Sequence, residues 1–216
     1  MPLSSCKICS DTTSAIRAYR PPGLYYSCSK CRFISADYSF VPDPDEEKSR
    51  YLMHNNSPEN SGYTSMLSEF IKHSIEPYIK TPGDILDFGC GPDPVLANML
   101  MKKGFDVDIY DRYFAQKKLF QKKKYDLICL TEVIEHLISP KKTLLMLKDC
   151  LSEKGCLSIM TRFFNGDISG FSDWWYRKDR THISFFSPVT VEILSQELYM
   201  KLILTDPGRS CVLRLS

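Results

Sequence analysis

Four cysteines near the start of the chain fall into two pairs, Cys6-x-x-Cys9 and Cys28-x-x-Cys31, separated by an 18-residue insert that contains Pro21-Pro22-Gly23. Each pair can curl so that both sulfurs face one ion, and two such knuckles close a tetrahedral, all-cysteine zinc site. No coordination position is left for a reactant, which predicts a structural metal. A segment this short has almost no core of its own, and zinc can supply its folding free energy, roughly 10–16 kcal/mol apparent in small zinc modules. Disulfides or unrelated thiols are the alternative reading.

A second constellation is Ile85-Leu86-Asp87-Phe88-Gly89-Cys90-Gly91, an apolar strand that ends in Asp-x-Gly-x-Gly and runs into a helix starting near Pro94. Glycines let the backbone turn sharply and approach a ligand with no Cβ between, and the helix start aims unpaired N–H groups at it. Asp87 can accept hydrogen bonds from an ammonium group. Asp111, after Val107-Asp108-Ile109-Tyr110, lies near the ~20-residue offset at which nucleotide-binding folds place an acid for ribose hydroxyls. The plainer readings are a strand-to-helix turn and a turn aspartate. A third candidate set is Trp174-Trp175-Tyr176 and His182, within an aromatic and charged stretch from Phe171 to Phe186. His182 is suited to taking a proton near neutrality and Tyr176 to orienting a reactant, while Trp174, Trp175 and Phe185 could equally cap a sheet.

The elements needed to position these groups are legible around them. A helix is expected from Tyr63 to Tyr78, with Leu67, Phe70, Ile71 and Ile75 inward, and Thr81-Pro82-Gly83-Asp84 turns the chain into the first strand. A short apolar strand from Tyr125 to Thr131 precedes a helix from Pro140 to Leu151, and another strand covers Leu157 to Thr161. Strand and helix then alternate as in a doubly wound parallel sheet. A helix from Pro188 to Tyr199, apolar Leu202-Ile203-Leu204, a turn at Asp206-Pro207-Gly208 and Cys211-Val212-Leu213 form a hairpin signature at the end. Pro42-Asp43-Pro44-Asp45-Glu46-Glu47 reads as a linker leading into a helix. The expected organisation is a small zinc-knuckle module over residues 1–45 and an α/β domain over 46–216.

From about Ser61 onward the chain resembles the class I S-adenosylmethionine-dependent methyltransferases. Leu86-Asp87-Phe88-Gly89-Cys90-Gly91 matches the family's first motif, Asp111 its ribose-binding acid, and Tyr125 to Leu137, with Thr131-Glu132-Val133-Ile134-Glu135-His136, its fourth. The resemblance implies a Rossmann-like doubly wound sheet ending in an antiparallel hairpin, with S-adenosylmethionine held by Asp87, Gly89, Gly91, Asp111, Arg112, Thr131, Glu132 and Tyr63. His54-Asn55-Asn56 and Gly62-Tyr63, on the resemblance, would form a lid over its methionine end; read from the residues alone they are equally a capped loop before the helix. His182 would serve as base and Tyr176 would orient the acceptor, with His136 a rival base that more plausibly orders its loop. Two departures stand out: Pro92-Asp93-Pro94 replaces a further glycine, and the connection from Asp111 to Tyr125 leaves little room for the usual third strand, so no acid for the adenine amino group can be assigned. A dinucleotide site fits less well, because Pro94 occupies the place of the third glycine of G-x-G-x-x-G.

Composition bounds the function. The chain has 216 residues, 43% of them hydrophobic, enough for one α/β domain and a small appendage. A formal net charge of +2 argues against a strongly basic nucleic-acid binder. The one local basic run, Lys117 to Lys124, reads as a solvated face with Leu119 and Phe120 turned inward. Nine cysteines is an odd count, and Cys90, Cys129, Cys150, Cys156 and Cys211 sit in core-like sequence, which favours a reducing compartment. Neither a signal peptide nor an apolar run of ~18 residues is present, so a cytoplasmic protein without a membrane span is expected. The expected reaction is O- or N-methylation of a small-molecule acceptor. RNA or protein methylation with the zinc module as docking element, and cofactor binding without turnover, are the alternatives.

Overall fold

The insert between the two cysteine pairs folds into a hairpin, strands β1 (Thr13–Tyr19) and β2 (Pro22–Cys28), and β3 (Ile34–Ala36) follows the second pair. Helix α1 (Pro44–Leu52) begins where the Asp43 carboxylate accepts from the Asp45 and Glu46 N–H groups at 2.9 and 3.0 Å, with Pro44 at a first-turn position that has no helical acceptor for an N–H. Helix α2 (Ser61–Ser74) is capped by Asn60. It stops short of Tyr78 because Pro77 cannot join the ladder and disfavours helix in the residue before it. Then come β4 (Asp84–Phe88), α3 (Val95–Lys102), β5 (Asp106–Tyr110), β6 (Tyr125–Thr131), α4 (Pro140–Lys148) and β7 (Leu151–Met160). The chain continues through α5 (Ile168–Phe171), β8 (Ser184–Phe185), α6 (Pro188–Glu197), β9 (Met200–Asp206) and β10 (Ser210–Leu215). The computed structural model describes residues 5–19, 21–53, 56–164, 167–206 and 208–215. His54 and Asn55 of the expected lid lie outside them, as does Pro207 of the hairpin turn.

The main sheet has the order β5-β4-β6-β7-β10-β9. β5, β4, β6 and β7 run parallel, and β10 pairs antiparallel with both β7 and β9. This is the expected doubly wound sheet with its terminal antiparallel hairpin. β5 forms the edge, since the segment from Asp111 to Tyr125 carries only a 3₁₀ turn, Lys118–Lys122, that buries Phe120. Side chains alternate across the strands. Leu86, Ile128, Leu157 and Leu213 face α4 and α6, whereas Ile85, Leu127, Cys156 and Val212 face α2 and α3. β7 starts six residues before the apolar run that marked it, because Ser152-Glu153-Lys154 at its solvated end conceal the strand.

The N-terminal strands form a second sheet, β1-β2-β3-β8, all antiparallel, in which the last strand comes from the aromatic stretch near the other end of the chain. Behind it Tyr25, Phe171, Trp174 and Phe185 pack edge to face, with Tyr25 and Phe171 centroids 5.1 Å apart. Arg177, buried in this interface, donates to the Pro21 carbonyl at 3.1 Å, the Tyr25 hydroxyl at 3.2 Å and the Ser172 carbonyl at 2.7 Å. The cysteine module and the aromatic stretch are thus one packed unit at the lip of the main sheet. No helix among the described residues is long and apolar enough to cross a membrane.

Candidate active site and cysteine centre

A cleft of about 810 Å³ opens at the carboxyl ends of β4, β5 and β6, where parallel strands part to either side in open α/β sheets. The glycine turn after β4 forms its floor. Gly89 has φ +87°, and a Cβ there would sit 2.3 Å from Val133 Cγ2. Gly91 has φ +69°, and its N–H donates to an Asp111 carboxylate oxygen at 3.1 Å. The other Asp111 oxygen accepts from the Tyr113 and Phe114 N–H groups at 2.7 and 3.1 Å, so Asp111 ties the turn after β5 to the turn after β4. Asp87 lies beneath this floor. It is buried, both of its carboxylate oxygens lack a well-formed hydrogen bond among the described residues, and burial pushes its carboxyl up to about 7 against a smaller pull from the Ala97 N–H. A carboxyl buried in this way either takes up a proton or is matched by a cation.

The opposite wall carries the groups suited to handling an acceptor. Glu132 has φ +53°, in the left-handed region, at the sharp turn that ends β6 and begins the short helix Ile134–His136. The Tyr176 hydroxyl lies 2.9 Å from Glu132 Oε2 and 3.2 Å from Thr161 Oγ1, and in closer contact with Glu135 Oε1. Burial raises the carboxyls of both Glu132 and Glu135, and Glu132 pushes Glu135 further. The Tyr176 phenol is raised by the same burial and by both carboxylates. His136 Nδ1 lies 2.9 Å from the Thr181 carbonyl, and His182 Nδ1 lies 2.7 Å from the Tyr176 carbonyl. Arg162, Trp175 and Lys178 complete this wall.

Helix α1 closes the cleft from outside. Glu47, 8% exposed, accepts from the Tyr51 hydroxyl at 2.6 Å, the Tyr113 hydroxyl at 2.5 Å and Arg112 Nη1 at 3.3 Å. Arg50 pairs with Asp179 at 2.9 Å, joining α1 to the aromatic stretch. Glu47, Arg50, Tyr51 and Arg162 line the cleft without having been marked in the sequence, and Glu135, named there only as part of the fourth motif, lies buried behind the wall against Tyr176. The signal for α1 was present in Asp43-Pro44-Asp45-Glu46, an N-cap followed by proline and acids. Of the expected cofactor and catalytic residues, Tyr63, Gly89, Gly91, Asp111, Arg112, Thr131, Glu132, Tyr176 and His182 line this one cleft.

The cysteines converge as well. Cys6 and Cys31 Sγ are 3.4 Å apart, Cys9 and Cys28 Sγ 3.6 Å, and all four sulfurs lie within 4.8 Å of one another. A tetrahedral zinc ion with ~2.3 Å bonds to sulfur needs edges of about 3.8 Å. The two knuckles repeat one backbone design: Ser10 and Arg32, each just after a pair, have φ +62° and +59°, and their N–H groups bond to the Cys6 and Cys28 carbonyls at 3.0 and 2.9 Å. The Ile8 and Cys31 N–H groups point at Cys6 and Cys28 sulfur at 3.4 and 3.5 Å. The sulfurs perturb one another electrostatically: the contact with Cys31 pulls Cys6 down to about 5, while the contact with Cys6 and burial raise Cys31, and burial raises Cys9. The donor set fits a zinc ion.

A family model described as a methyltransferase domain matches residues 63–198. No curated protein matches the sequence. Solved structures share the fold at low identity. A 1,6-didemethyltoxoflavin-N1-methyltransferase from Burkholderia thailandensis, solved with that substrate and S-adenosylhomocysteine, aligns with TM-score 0.57 at 11% identity, over 88% of this chain and 98% of that one. A SAM-dependent methyltransferase from Archaeoglobus fulgidus aligns with TM-score 0.55 at 14% identity, over 82% of this chain and all of that one. An O-methyltransferase family protein from Burkholderia thailandensis aligns with TM-score 0.56 at 10% identity over 78% of this chain, which spans only 62% of that protein's length. The matched region runs through the glycine turn, the Glu132–His136 turn and His182, and so the chain belongs to the methyltransferase domain family, with the class I S-adenosylmethionine-dependent fold.

Proposed function

We propose that the protein methylates an oxygen or nitrogen of a small molecule with S-adenosylmethionine as donor, and that a zinc ion on Cys6, Cys9, Cys28 and Cys31 is structural. The reading is carried by Asp87, a buried carboxylate without a hydrogen-bond partner among the described residues, set behind the two left-handed glycines whose cleft also holds two ordered imidazoles. When bound, S-adenosylmethionine supplies an electrophilic methyl group. Asp87 and Tyr63 would receive its amino-acid end, with Gly89 and Gly91 allowing close main-chain approach, and Asp111, Arg112 and Glu47 would face the ribose. Tyr110, Leu137 and Met146 form an apolar end that suits a purine ring. Thr131 and Glu132 border the point where donor and acceptor meet. Nδ1 of His182 is held by a carbonyl, which leaves Nε2 as the basic nitrogen for an acceptor proton. The Tyr176 hydroxyl is committed to Glu132, Glu135 and Thr161, so it orients the acceptor through Glu132.

A small acceptor is supported by the size of the cleft, about 810 Å³ for donor and acceptor together, within the range of about 300–1,000 Å³ of small-molecule sites. Calorimetry with S-adenosylhomocysteine, followed by labelled S-adenosylmethionine in fractionated cell extract, tests the proposal. Saturable binding and label in a small-molecule fraction are expected. Absence of binding would refute it, and label confined to RNA or protein would overturn the acceptor class.

A further inference from the structure

The acceptor wall brings one carboxylate and two imidazoles together, with a ligand atom of Glu135, His136 and His182 each within 4.8 Å of the others. Their surroundings are those of a prepared cation site. The Thr181 and Tyr176 carbonyls face Nδ1 of His136 and His182. A carbonyl only accepts, so each neutral ring keeps its proton on Nδ1 and offers Nε2 as the lone-pair nitrogen, the arrangement by which metal-binding histidines are oriented. Glu135 is fully buried, yet its Oε2 has no hydrogen-bond partner among the described residues. Leaving such an atom unsatisfied is costly unless something else meets it. Negative charge is also in excess: Glu132 and Glu135 both contact the Tyr176 hydroxyl, which has a single proton to give. A further proton or a cation must balance the pair.

We propose that Glu135, His136 and His182 bind a divalent first-row transition-metal ion on the acceptor side of the cleft, with Glu132 beside it. Mixed imidazole and carboxylate donors suit manganese, iron, cobalt or zinc better than calcium or magnesium. Three protein ligands leave positions open for a substrate. Taken with the methyl-transfer reading, on which this second step rests, the site selects an oxygen acceptor, best a pair of adjacent hydroxyls that chelates the ion. Coordination makes the hydroxyl more acidic, and its proton passes to Glu132 or to water. The oxygen lone pair then forms the bond to the methyl carbon as the carbon–sulfur bond breaks and its electron pair stays on sulfur. His182 is in that case a ligand and no longer the base.

Manganese is the probe of choice, because thiolates disfavour it and the cysteine centre stays silent. Mn²⁺ titrated into the zinc-loaded full chain, followed by electron paramagnetic resonance, should show one bound ion per chain. His182→Ala and His136→Gln should each weaken it tenfold or more. In the wild-type chain, where no variant has to fold, Mn²⁺ should broaden the ring resonances of His136 and His182 before that of His73 on α2. The proposal is overturned by no saturable binding to the wild type, by unchanged affinity in both variants, or by equal broadening of the three rings. Binding of Mn²⁺ without binding of S-adenosylhomocysteine would retain the metal site and discard the methyl-transfer reading.

Discussion

Asp87 concentrates the electrostatics of the cofactor half in one side chain. Its carboxyl sits near 7 because burial penalises the charge, with Asp111 adding to the effect, against about 3.9 for an unfolded aspartate. An acid whose pKa is higher folded than unfolded favours folding most below the unfolded value, and that contribution is lost as pH rises through the folded one. At pH 8 the empty protein therefore holds a destabilising charge. Asp87→Asn should raise the unfolding midpoint at pH 8 more than at pH 5, by on the order of 1 kcal/mol or about 2–4 °C, as scanning calorimetry without ligand would register. The same change should abolish the ammonium contact. In the wild type, affinity for S-adenosylhomocysteine should fall up to about tenfold per unit as pH drops below 7, because the carboxylate must be ionised to receive the amine. A flat wild-type profile would remove Asp87 from that role. Asp87 and Asp111 were legible because each follows an apolar strand at a spacing set by backbone geometry. Glu47 was not, and Glu135 was visible only as a member of its motif and without a role, since their significance lies in partners far off in the sequence: Tyr113 and Arg112 for one, Tyr176 for the other.

The turn after β4 and helix α1 carry the site at the scale of elements. Alanine at Gly89 would bring a Cβ to 2.3 Å from Val133 Cγ2 in addition to the strain of φ +87°, itself about 1–2 kcal/mol. Gly89→Ala should lower affinity for S-adenosylhomocysteine tenfold or more, and adding Val133→Ala should recover only part, since it relieves the collision but not the dihedral strain. Full recovery would show that the clash alone matters. Glu47→Ala would strip two hydroxyls and a guanidinium of their shared acceptor; α1 amides should then exchange at least tenfold faster by mass spectrometry, with weaker cofactor binding. Strands β4 and β6, covered on both faces, are plain in the sequence as apolar runs. The start of helix α1 is announced by Asp43-Pro44-Asp45-Glu46, but the face it turns to the cleft is not, because the residues it turns inward are Glu47 and Tyr51, which leave no apolar stripe to read. The pairing of β3 with β8 could not be read from local patterns, since Ser184 and Phe185 meet Ser35 and Ile34 across most of the chain.

For the molecule as a whole, the cysteine centre and the acceptor wall are mechanically one piece. Cys28 and Cys31 hold the turn between β2 and β3, β3 carries β8, and the aromatic stretch ending at β8 supplies Trp175, Tyr176 and His182 to the cleft. The cofactor half stands on β4, β5 and β6; their face toward α2 and α3 packs apart from that sheet, while the face toward α4 shares its apolar cluster with Cys28, Cys31 and Phe33. Taking away the proposed zinc, by chelation or by Cys28→Ser, should accordingly act mainly on one half of the site. Amides of Ser184 and Phe185 should lose protection, and Trp174, now packed on Phe164, Phe171 and Phe185, should shift its fluorescence to the red. Methyl transfer should fall by at least an order of magnitude, because the groups that face the acceptor lose their backing. S-adenosylhomocysteine should still bind within a few-fold of the metal-loaded protein. Were cofactor affinity to collapse in step with transfer, the two halves would be a single cooperative unit, and the zinc would be holding the whole cleft in place instead of its acceptor wall.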